Sequence, residues 1–396
     1  MSCSEWKEYR LEDICEMKYG KMPKKDRISE VGYPIFSGYR IVGYYDEYMY
    51  ENPEVIVVAR GVGGTGDVKL SPPKSYITNL SIALQLNEKI VHKKFMYYKL
   101  SNENLRLLDS GSAQSQITIN DLKRYIINIP PLKEQEKIAN ILSSLDDKIE
   151  LNNEMNKTLE EMAQSIFKRW FVDFEFPNED GQPYKSSGGE MVESEQGMIP
   201  KGWEVKKISE LIEVKDGTHA SPKVSKEGYP LVTSKHIKGD SIAIDDAKLI
   251  SEKDYIEVNK RSKVDTGDIL ISMIGTVGLT YLVQEDNINF AIKNIGLFKT
   301  SQNTMLSEYI YLYIKSPNMK SYIESRLAGT TQKYISLGEL RNIPIVLPTD
   351  NVISRFKDVS RVLLDKKRSN ILENEDIKNI RNSLLPKLMI GEIKFN

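Results

Sequence analysis

The chain has 396 residues, 40% of them hydrophobic, with 55 Lys and Arg against 56 Asp and Glu. Such a length provides for two or three domains of ~100–200 residues, and the hydrophobic content excludes wholesale disorder. No apolar run approaches the ~20 residues needed to span a bilayer, and two cysteines, Cys3 and Cys15, cannot build a disulfide framework. The start, Met1 to Trp6, lacks the basic-then-apolar layout of a secretory signal, so the expected location is cytoplasmic.

Along the chain, Trp6-Lys-Glu-Tyr-Arg-Leu11-Glu-Asp-Ile14 begins the first ordered stretch. Between Lys18 and Arg40 six basic residues (Lys18, Lys21, Lys24, Lys25, Arg27, Arg40) face Asp26 and Glu30, a local charge of +4. The net charge of −1 argues at first against nucleic acid, because a stand-alone DNA binder usually shows a basic domain. The local excess reopens that reading and implies that partners carry part of the phosphate contact. Val55–Val58 is strand-like. The following Arg60-Gly-Val-Gly-Gly-Thr-Gly66 is glycine-rich but lacks the Gly-Lys-Ser/Thr ending of a phosphate loop. A tight turn is expected there; a nucleotide-dependent enzyme is the alternative. Lys93–Leu100 has a helical pattern, and Ile126–Ile129 reads as a strand.

From Leu132 the positions Ile138, Leu142, Leu145, Ile149, Asn152, Asn156, Leu159, Ala163, Ile166 and Trp170 step by four and three. That is a heptad seam, which buries one stripe against another helix. Pro130 and Pro131 punctuate its start, since proline is tolerated only in the first turn, and Pro177 closes the segment. About 40 residues at ~1.5 Å each make a rod on the order of 60 Å. Asn178–Glu190, rich in Gly, Ser, Pro and acid, marks a linker or exposed loop, and Asn178–Gly197 carries a local −4.

At Trp203 the chain begins to repeat itself. Trp203-Glu-Val-Lys-Lys-Ile208-Ser-Glu-Leu211 matches the block at Trp6 at an offset of 197, which also pairs Gly20 with Gly217. Gly32-Tyr33-Pro34 matches Gly228-Tyr229-Pro230 at 196, and Asn79–Ile82 meets Asn294–Leu297 at 215. The longest block, Gly111-Ser-Ala-Gln114-Ser-Gln-Ile117-Thr-Ile119 through Pro130, matches Gly329-Thr-Thr-Gln332-Lys-Tyr-Ile335-Ser-Leu337 through Pro348 at 218. Ordered blocks with a slowly growing offset indicate duplication. Within the second copy Ile269–Ser272 and Ile343–Leu347 read as strands and Leu306–Ile314 as a helix. A second seam runs from about Asn351 through Phe356, Val359, Leu363, Ile377, Ile380, Leu384 and Leu388, more polar between Asp365 and Asn370. The 218 offset sets Asn152 against Asn370 and Asn156 against Asn374 in the repeat. These asparagines either fix register inside the seam or border a solvated face. Seam residues such as Leu142 and Leu363 pair within the chain or, by self-association of the helices, between chains.

Catalytic chemistry is not in evidence. His92, His219 and His236 are the only histidines, and neither HExxH nor CxxC occurs. No Asn-Pro-Pro-Tyr methyltransferase signature and no Asp…Glu-x-Lys nuclease cluster stands out. No catalytic residue, metal or cofactor is expected. Polar, basic and aromatic residues do occupy corresponding loops of the two copies. The first offers Lys21, Ser37, Tyr39, Arg40 and Arg60; the second Thr218, His219, Ser234, Lys235, His236 and Lys238. Such side chains suit base-edge hydrogen bonds and phosphate contacts, and their differing identities suit two readers of two half-sequences.

With these blocks in view, the sequence resembles the specificity (S) subunit of type I restriction–modification systems. The resemblance lies in Gly197-Met-Ile-Pro-Lys-Gly-Trp203-Glu-Val-Lys-Lys-Ile208, Phe167-Lys-Arg-Trp170-Phe171-Val172-Asp173-Phe174 and Leu384-Leu-Pro-Lys-Leu388-Met-Ile-Gly391-Glu392-Ile393. It extends to Asp216-Gly-Thr-His-Ala-Ser-Pro222 with Val232–Ile237, and to Gly32–Gly38 with Gly43-Tyr-Tyr45. Related first domains tend to carry an Arg-Lys-Gly-Thr-Val-Gly-like turn where this chain has Arg60–Gly66. The resemblance implies an α+β fold: two repeated mixed α/β target-recognition domains separated by two long antiparallel helices forming a coiled coil. The expected layout is recognition domain 1–130, spacer helix 131–176, linker 177–202, recognition domain 203–348 and spacer helix 349–396. It also implies double-stranded DNA, two methyltransferase (M) subunits and ATP-dependent restriction (R) subunits as partners. S-adenosylmethionine would sit on M, and ATP with Mg²⁺ on R. A structural coiled-coil adaptor without DNA contact is the competing expectation.

Overall fold

A computed structural model of the chain describes residues 6–61, 64–109, 115–393 and 395. It resolves into two compact units, Met1–Asn152 with Leu372–Asn396, and Asn153–Ile371. The first unit runs β1 (Lys7–Arg10), α1 (Leu11–Ile14), β2 (Cys15–Tyr19), β3 (Tyr33–Phe36), β4 (Ile41–Tyr45), β5 (Val55–Val58) and β6 (Val68–Leu70). It continues through β7 (Tyr76–Ile77), β8 (Ser81–Leu86), α2 (Lys93–Ser101), α3 (Ile119–Lys123) and β9 (Ile126–Ile129) into α4 (Leu132–Phe171).

Three sheets organise this unit: an antiparallel β2-β8-β5-β6, a mixed β4-β3-β7 and the pair β1-β9. Side chains alternate across a strand, so Val55, Val57, Ile82 and Leu84 pack with Phe95 and Met96 of α2. Ile56 and Ala83 point the other way, onto Phe36 and Ile77 of the second sheet. Burial on both faces explains why β5 is an unbroken apolar run.

The second unit adds the hairpin β10 (Met191–Ser194) and β11 (Gly197–Pro200), then β12 (Glu204–Lys207), α5 (Ile208–Leu211), β13 (Val214–Asp216), β14 (Val224–Thr233) and β15 (Lys248–Ile250). There follow α6 (Glu252–Ser262), β16 (Ile269–Ser272), β17 (Thr280–Leu282), β18 (Ala291–Lys293) and β19 (Ile295–Phe298). The remaining elements are α7 (Ser307–Lys315), α8 (Pro317–Ser325), α9 (Leu337–Arg341), β20 (Pro344–Leu347) and α10 (Asp350–Met389). Its sheets, β13-β19-β16-β17, β15-β14-β18 and β12-β20, repeat the strand order of the first unit. The growth of the offset from 196 to 215 falls partly in the longer β14–β15 connection, since Tyr45 and Ile250 pair equivalently at 205, and partly where α6 is inserted. That helix covers the smaller sheet, packing Val258 on Leu231, Ile250 and Ala291.

The matched blocks mark positions where geometry must recur. Gly32 and Gly228 both have positive φ (126° and 136°), and a β-carbon there would strike the carbonyl of Tyr45 or Ile250 on the neighbouring strand. Thr118 and Ser336 each cap a short helix, accepting the amides of Asp121 and Glu339. Trp6 packs against Gly391 past the end of α10, and Trp203 against Phe171 and Phe174 at the end of α4. Each unit therefore joins one copy's first strand to the end of the other copy's long helix.

Each unit contains a piece of an antiparallel helix pair. In the first, Asp146 meets Arg381 at 2.6 Å and Asn152 donates to Asn374 at 2.9 Å. In the second, Asn370 donates to Asn156 at 2.9 Å and Lys367 meets Glu160 at 2.7 Å. Asn152, Asn370 and Asn374 are buried, so the asparagines lie inside the seam and pair across it. The 218 offset carries one pair onto the other. Leu142 is buried in the first unit's core and Leu363 packs on the second's; both find their partners within the chain. The stretch expected as linker is largely exposed yet built: Phe176 stacks between Tyr184 (4.6 Å) and Trp203 (5.0 Å), and β10 pairs with β11.

Burial pushes the Cys15 thiol up to about 12, which keeps it protonated and unreactive. Cys3 and the block Gly111–Gln114 lie outside the described residues. Among the described residues no helix is long and apolar enough to cross a membrane.

Candidate nucleic-acid interface

In the first unit the candidate side chains follow the ends of β2, β3 and β5, and one short stretch of backbone ties those ends together. Gly20 donates to the carbonyl of Ser81, the Ser81 hydroxyl donates to the carbonyl of Ser37, and Ala59 and Arg60 both donate to Leu80. Lys21 therefore stands beside the Ser37–Arg40 turn, and that turn beside Arg60. The Ser37 side chain is buried and donates to the carbonyl of Arg40 at 3.0 Å, closing the turn. The Tyr39 ring lies over Gly61 and Gly64, at positions a β-carbon would occupy; burial, then Asp67, raises its phenol above the ordinary value. Lys21, Arg40 and Arg60 are exposed and hold no ion pair with a described residue. Of the other bases in the +4 stretch, Lys18 pairs with Glu16 and Arg27 with Asp46 and Glu47. The glycine-rich segment is a β5–β6 turn, with Gly66 donating to Val58 and Asp67 to Gly64; Val62 and Gly63 lie outside the described residues.

The second unit holds its loops with Asn294. Its carbonyl accepts the Ser234 hydroxyl at 2.9 Å, its amide donates to Thr218, and its side-chain oxygen lies 2.9 Å from His219 Nδ1. His219 Nε2 lies 2.9 Å from Asp216, a buried carboxylate that also binds Arg261. The imidazole is exposed but clamped at both nitrogens. Thr218 accepts the amide of Ala220. His236 is buried, and its Nδ1 accepts the amide of Thr233 at 2.9 Å. Burial, then Lys235, lowers its pKa below the usual imidazole value, so it is a neutral loop brace. Lys235 and Lys238 are exposed.

Thr233–Lys235, Ile237, Lys238, Ile274–Thr276, Asn294 and Gln332 together line a hollow of about 640 Å³. Gly275 donates to Lys333, which holds the turn after β16 against the Gln332 segment. The candidates thus include Ser234, Lys235 and Lys238 of this hollow and omit Thr276, Asn294 and Gln332. The signal for the last two was present, since both sit in repeat blocks. In the first unit a hollow of about 730 Å³ lies elsewhere, lined by Tyr19, Tyr48, Tyr50 and Tyr76 with Lys18 and Lys21, and does not include Ser37, Tyr39, Arg40 or Arg60. Among the described residues no group of three or more His, Cys, Asp and Glu could hold a metal ion.

Two copies of one sheet-and-helix fold, with unlike polar loops at like strand ends, define a duplicated scaffold. Residues 3–161 and 200–382 match the type I restriction modification DNA specificity domain, and the chain belongs to that family. It is 28% identical over 319 residues to the type I restriction enzyme MjaIX specificity subunit of Methanocaldococcus jannaschii, covering 77% of this chain and 70% of that one. It is 29% identical over 374 residues to the HindI specificity subunit of Haemophilus influenzae, covering 79% and 80%. Its fold is similar to the crystal structure of the S subunit from M. genitalium, with a TM-score of 0.61 at 18% identity over 97% of this chain and 96% of that one.

Proposed function

We propose that this chain is the cytoplasmic, non-catalytic DNA-specificity subunit of a type I restriction–modification assembly. Each recognition domain reads one half of a bipartite, asymmetric site, and the helices set the gap between the halves. The observation that carries this reading is the duplication: strand order, glycines and caps recur, while the loop residues differ. Lys21, Arg40, Arg60, Lys235 and Lys238 contact phosphate or base edges, with Tyr39, Thr218, His219 and Ser234 beside them. Ser37 and His236 act through the turns they brace. Two M subunits bearing S-adenosylmethionine and R subunits bearing ATP and Mg²⁺ supply the chemistry at the chosen site.

Methylome sequencing of a strain with and without this chain tests the proposal. A two-part modified motif should vanish with the chain, and exchanging residues 203–348 for those of a relative should alter one half only. A change in both halves would refute independent reading. Matched insertions of about four residues in both helices add ~6 Å and should lengthen the gap by roughly two base pairs at ~3.4 Å each. An unchanged motif after insertion refutes the ruler. Sequence-independent behaviour with M subunits present would leave an adaptor, and tight ATP binding by the isolated chain would favour a nucleotide enzyme.

A further inference from the structure

The loop after β14 leaves the recognition hollow and returns in a tight turn. Ala243 donates to the carbonyl of His236, Ile237 bridges Ile242, and Lys238 donates to Ser241. Gly239, with φ 81°, makes the turn. The root of this arm is fixed, because Ile237 is buried with Val232, Leu270 and Ile292. Its tip is Asp240, and the tip does not face the hollow. Asp240 meets Lys367 at 2.7 Å and Lys315 at 3.3 Å. Glu160 closes the ring, at 2.7 Å from Lys367 and 2.8 Å from Lys315, and the Tyr311 hydroxyl donates to Asp240 at 3.3 Å.

Four segments of the second unit meet at this point: α4 through Glu160, α10 through Lys367, α7 through Lys315 and Tyr311, and the recognition arm through Asp240. Two carboxylates and two ammonium groups balance. Lys367 is only 6% exposed, so it depends on both acids. An uncompensated charge at such a site is costly. The repeat does not require the cluster: the 218 offset maps Lys367 onto Ile149 and Glu160 onto Lys378. In the first unit the comparable join is Tyr98–Asp146–Arg381, which includes no recognition loop.

We infer that Asp240 is a positioning residue for DNA reading by the second unit, locking the Lys235–Lys238 arm to the helix pair through Lys367 and Lys315. The inference rests on the proposed function above. By pinning the tip, the ring removes the freedom that would blur where Lys235 and Lys238 meet DNA, and such preorganisation strengthens binding by lowering the ordering cost.

The test uses the complete methyltransferase complex and three DNA duplexes: the cognate site, and the site altered in either half. Asp240→Ala should reduce discrimination at one half on the order of tenfold, the weight of one good base contact, with discrimination at the other half kept. The rise should lie in KM rather than kcat. The conservative Asp240→Glu, which keeps the carboxylate between Lys367 and Lys315, should retain much of the discrimination; a purely structural role would move both halves together. If Asp240→Ala fails to fold, the isosteric Asp240→Asn provides the same comparison. Equal discrimination by wild type and variant overturns the inference, and so does an equal loss at both halves. Absence of site preference in the wild-type complex refutes instead the functional reading on which it rests.

Discussion

The two units make the same join with different materials. Where the end of α4 enters the second unit, Phe167, Trp170 and Phe171 pack against Phe356 and Tyr309, with ring centroids 4.7 Å apart for Phe171 on Phe356 and on Tyr309. The 218 offset turns those residues into Leu385, Leu388 and Met389 of α10 and turns Phe356 into Ile138, all of which pack in the first unit's core. One copy thus uses a ring cluster and the other aliphatic chains, though both bury the same positions. What recurs is where apolar volume is needed, not which side chain provides it. The largest expected effects sharpen this contrast. Phe171→Ala should destabilise the second unit by about 3–5 kcal/mol and Met389→Ala the first by about 2–5 kcal/mol. Hydrogen exchange followed separately in each unit checks it; loss of protection in both units from either change would break the idea of separate cores.

Next in size come the seam asparagines. Asn152→Ala removes the donor to Asn374 and Glu373 in a buried setting, a loss of about 1–3 kcal/mol. Replacing Asn152 and Asn374 together by Leu removes donor and acceptor at once, and urea denaturation should then find stability equal to or above wild type. A double variant weaker than the single would show that the pair contributes more than register.

Most of the scaffold was legible because it is written twice. The strands at Val55–Val58 and Ile269–Ser272 and the helices at Lys93 and Leu306 stood out by period. The repeat blocks landed on Gly32, Gly228, Thr118 and Ser336, whose roles are backbone geometry and therefore recur. The site was less legible. Ser37 and His236 have the chemistry of base readers, yet burial turns them inward, and one sequence does not show which way a polar loop residue faces. Thr276 and Asp240 belong to no repeat block and gain meaning only from what packs beside them. The seam asparagines were ambiguous for the same reason: their alternatives differ in burial, not in spacing.

Acid titration should set the units apart in sign. Burial acts to raise Glu160 and Asp240, but Lys315 and Lys367 outweigh it and hold both below their ordinary 4.5 and 3.8. A depressed carboxylate stabilises above its unfolded pKa and loses that stabilisation as pH falls through the folded one. The cost of Asp240→Asn is therefore complete at neutral pH and fades below about pH 4. Glu54 of the first unit behaves oppositely: burial raises it above 4.5 despite Lys93. Its ionised form is disfavoured in the fold, so Glu54→Gln should stabilise near neutrality and lose that advantage in acid. Denaturation midpoints of each variant against wild type across pH 3–8 decide both; parallel curves for the two variants would contradict this assignment.

The smallest effect on the fold is expected at the exposed cations, and there the comparison between units moves from stability to DNA. Arg40, Arg60, Lys235 and Lys238 are exposed and make no ion pair with described residues, so alanine at any of them should change stability by no more than about 0.5 kcal/mol. If a cation touches phosphate, its loss weakens binding to all sequences alike and lowers the salt slope of the complex by about one unit. If it reads a base edge, the slope holds more nearly constant and preference at one position relaxes by about 1–3 kcal/mol. On the inference drawn above, these roles should differ between the two units. Lys235 and Lys238 spring from backbone braced at Ile237 and Asp240 and are suited to base edges, where placement matters. Arg60, held by Leu80 and Gln116 through its backbone alone and with no ion-paired tip beside it, is suited to phosphate, which tolerates a looser approach. Binding titrations of the assembled complex over a salt series, on cognate and half-altered duplexes, separate the two. A full unit lost from the slope at Lys235 with unchanged preference would reverse the assignment.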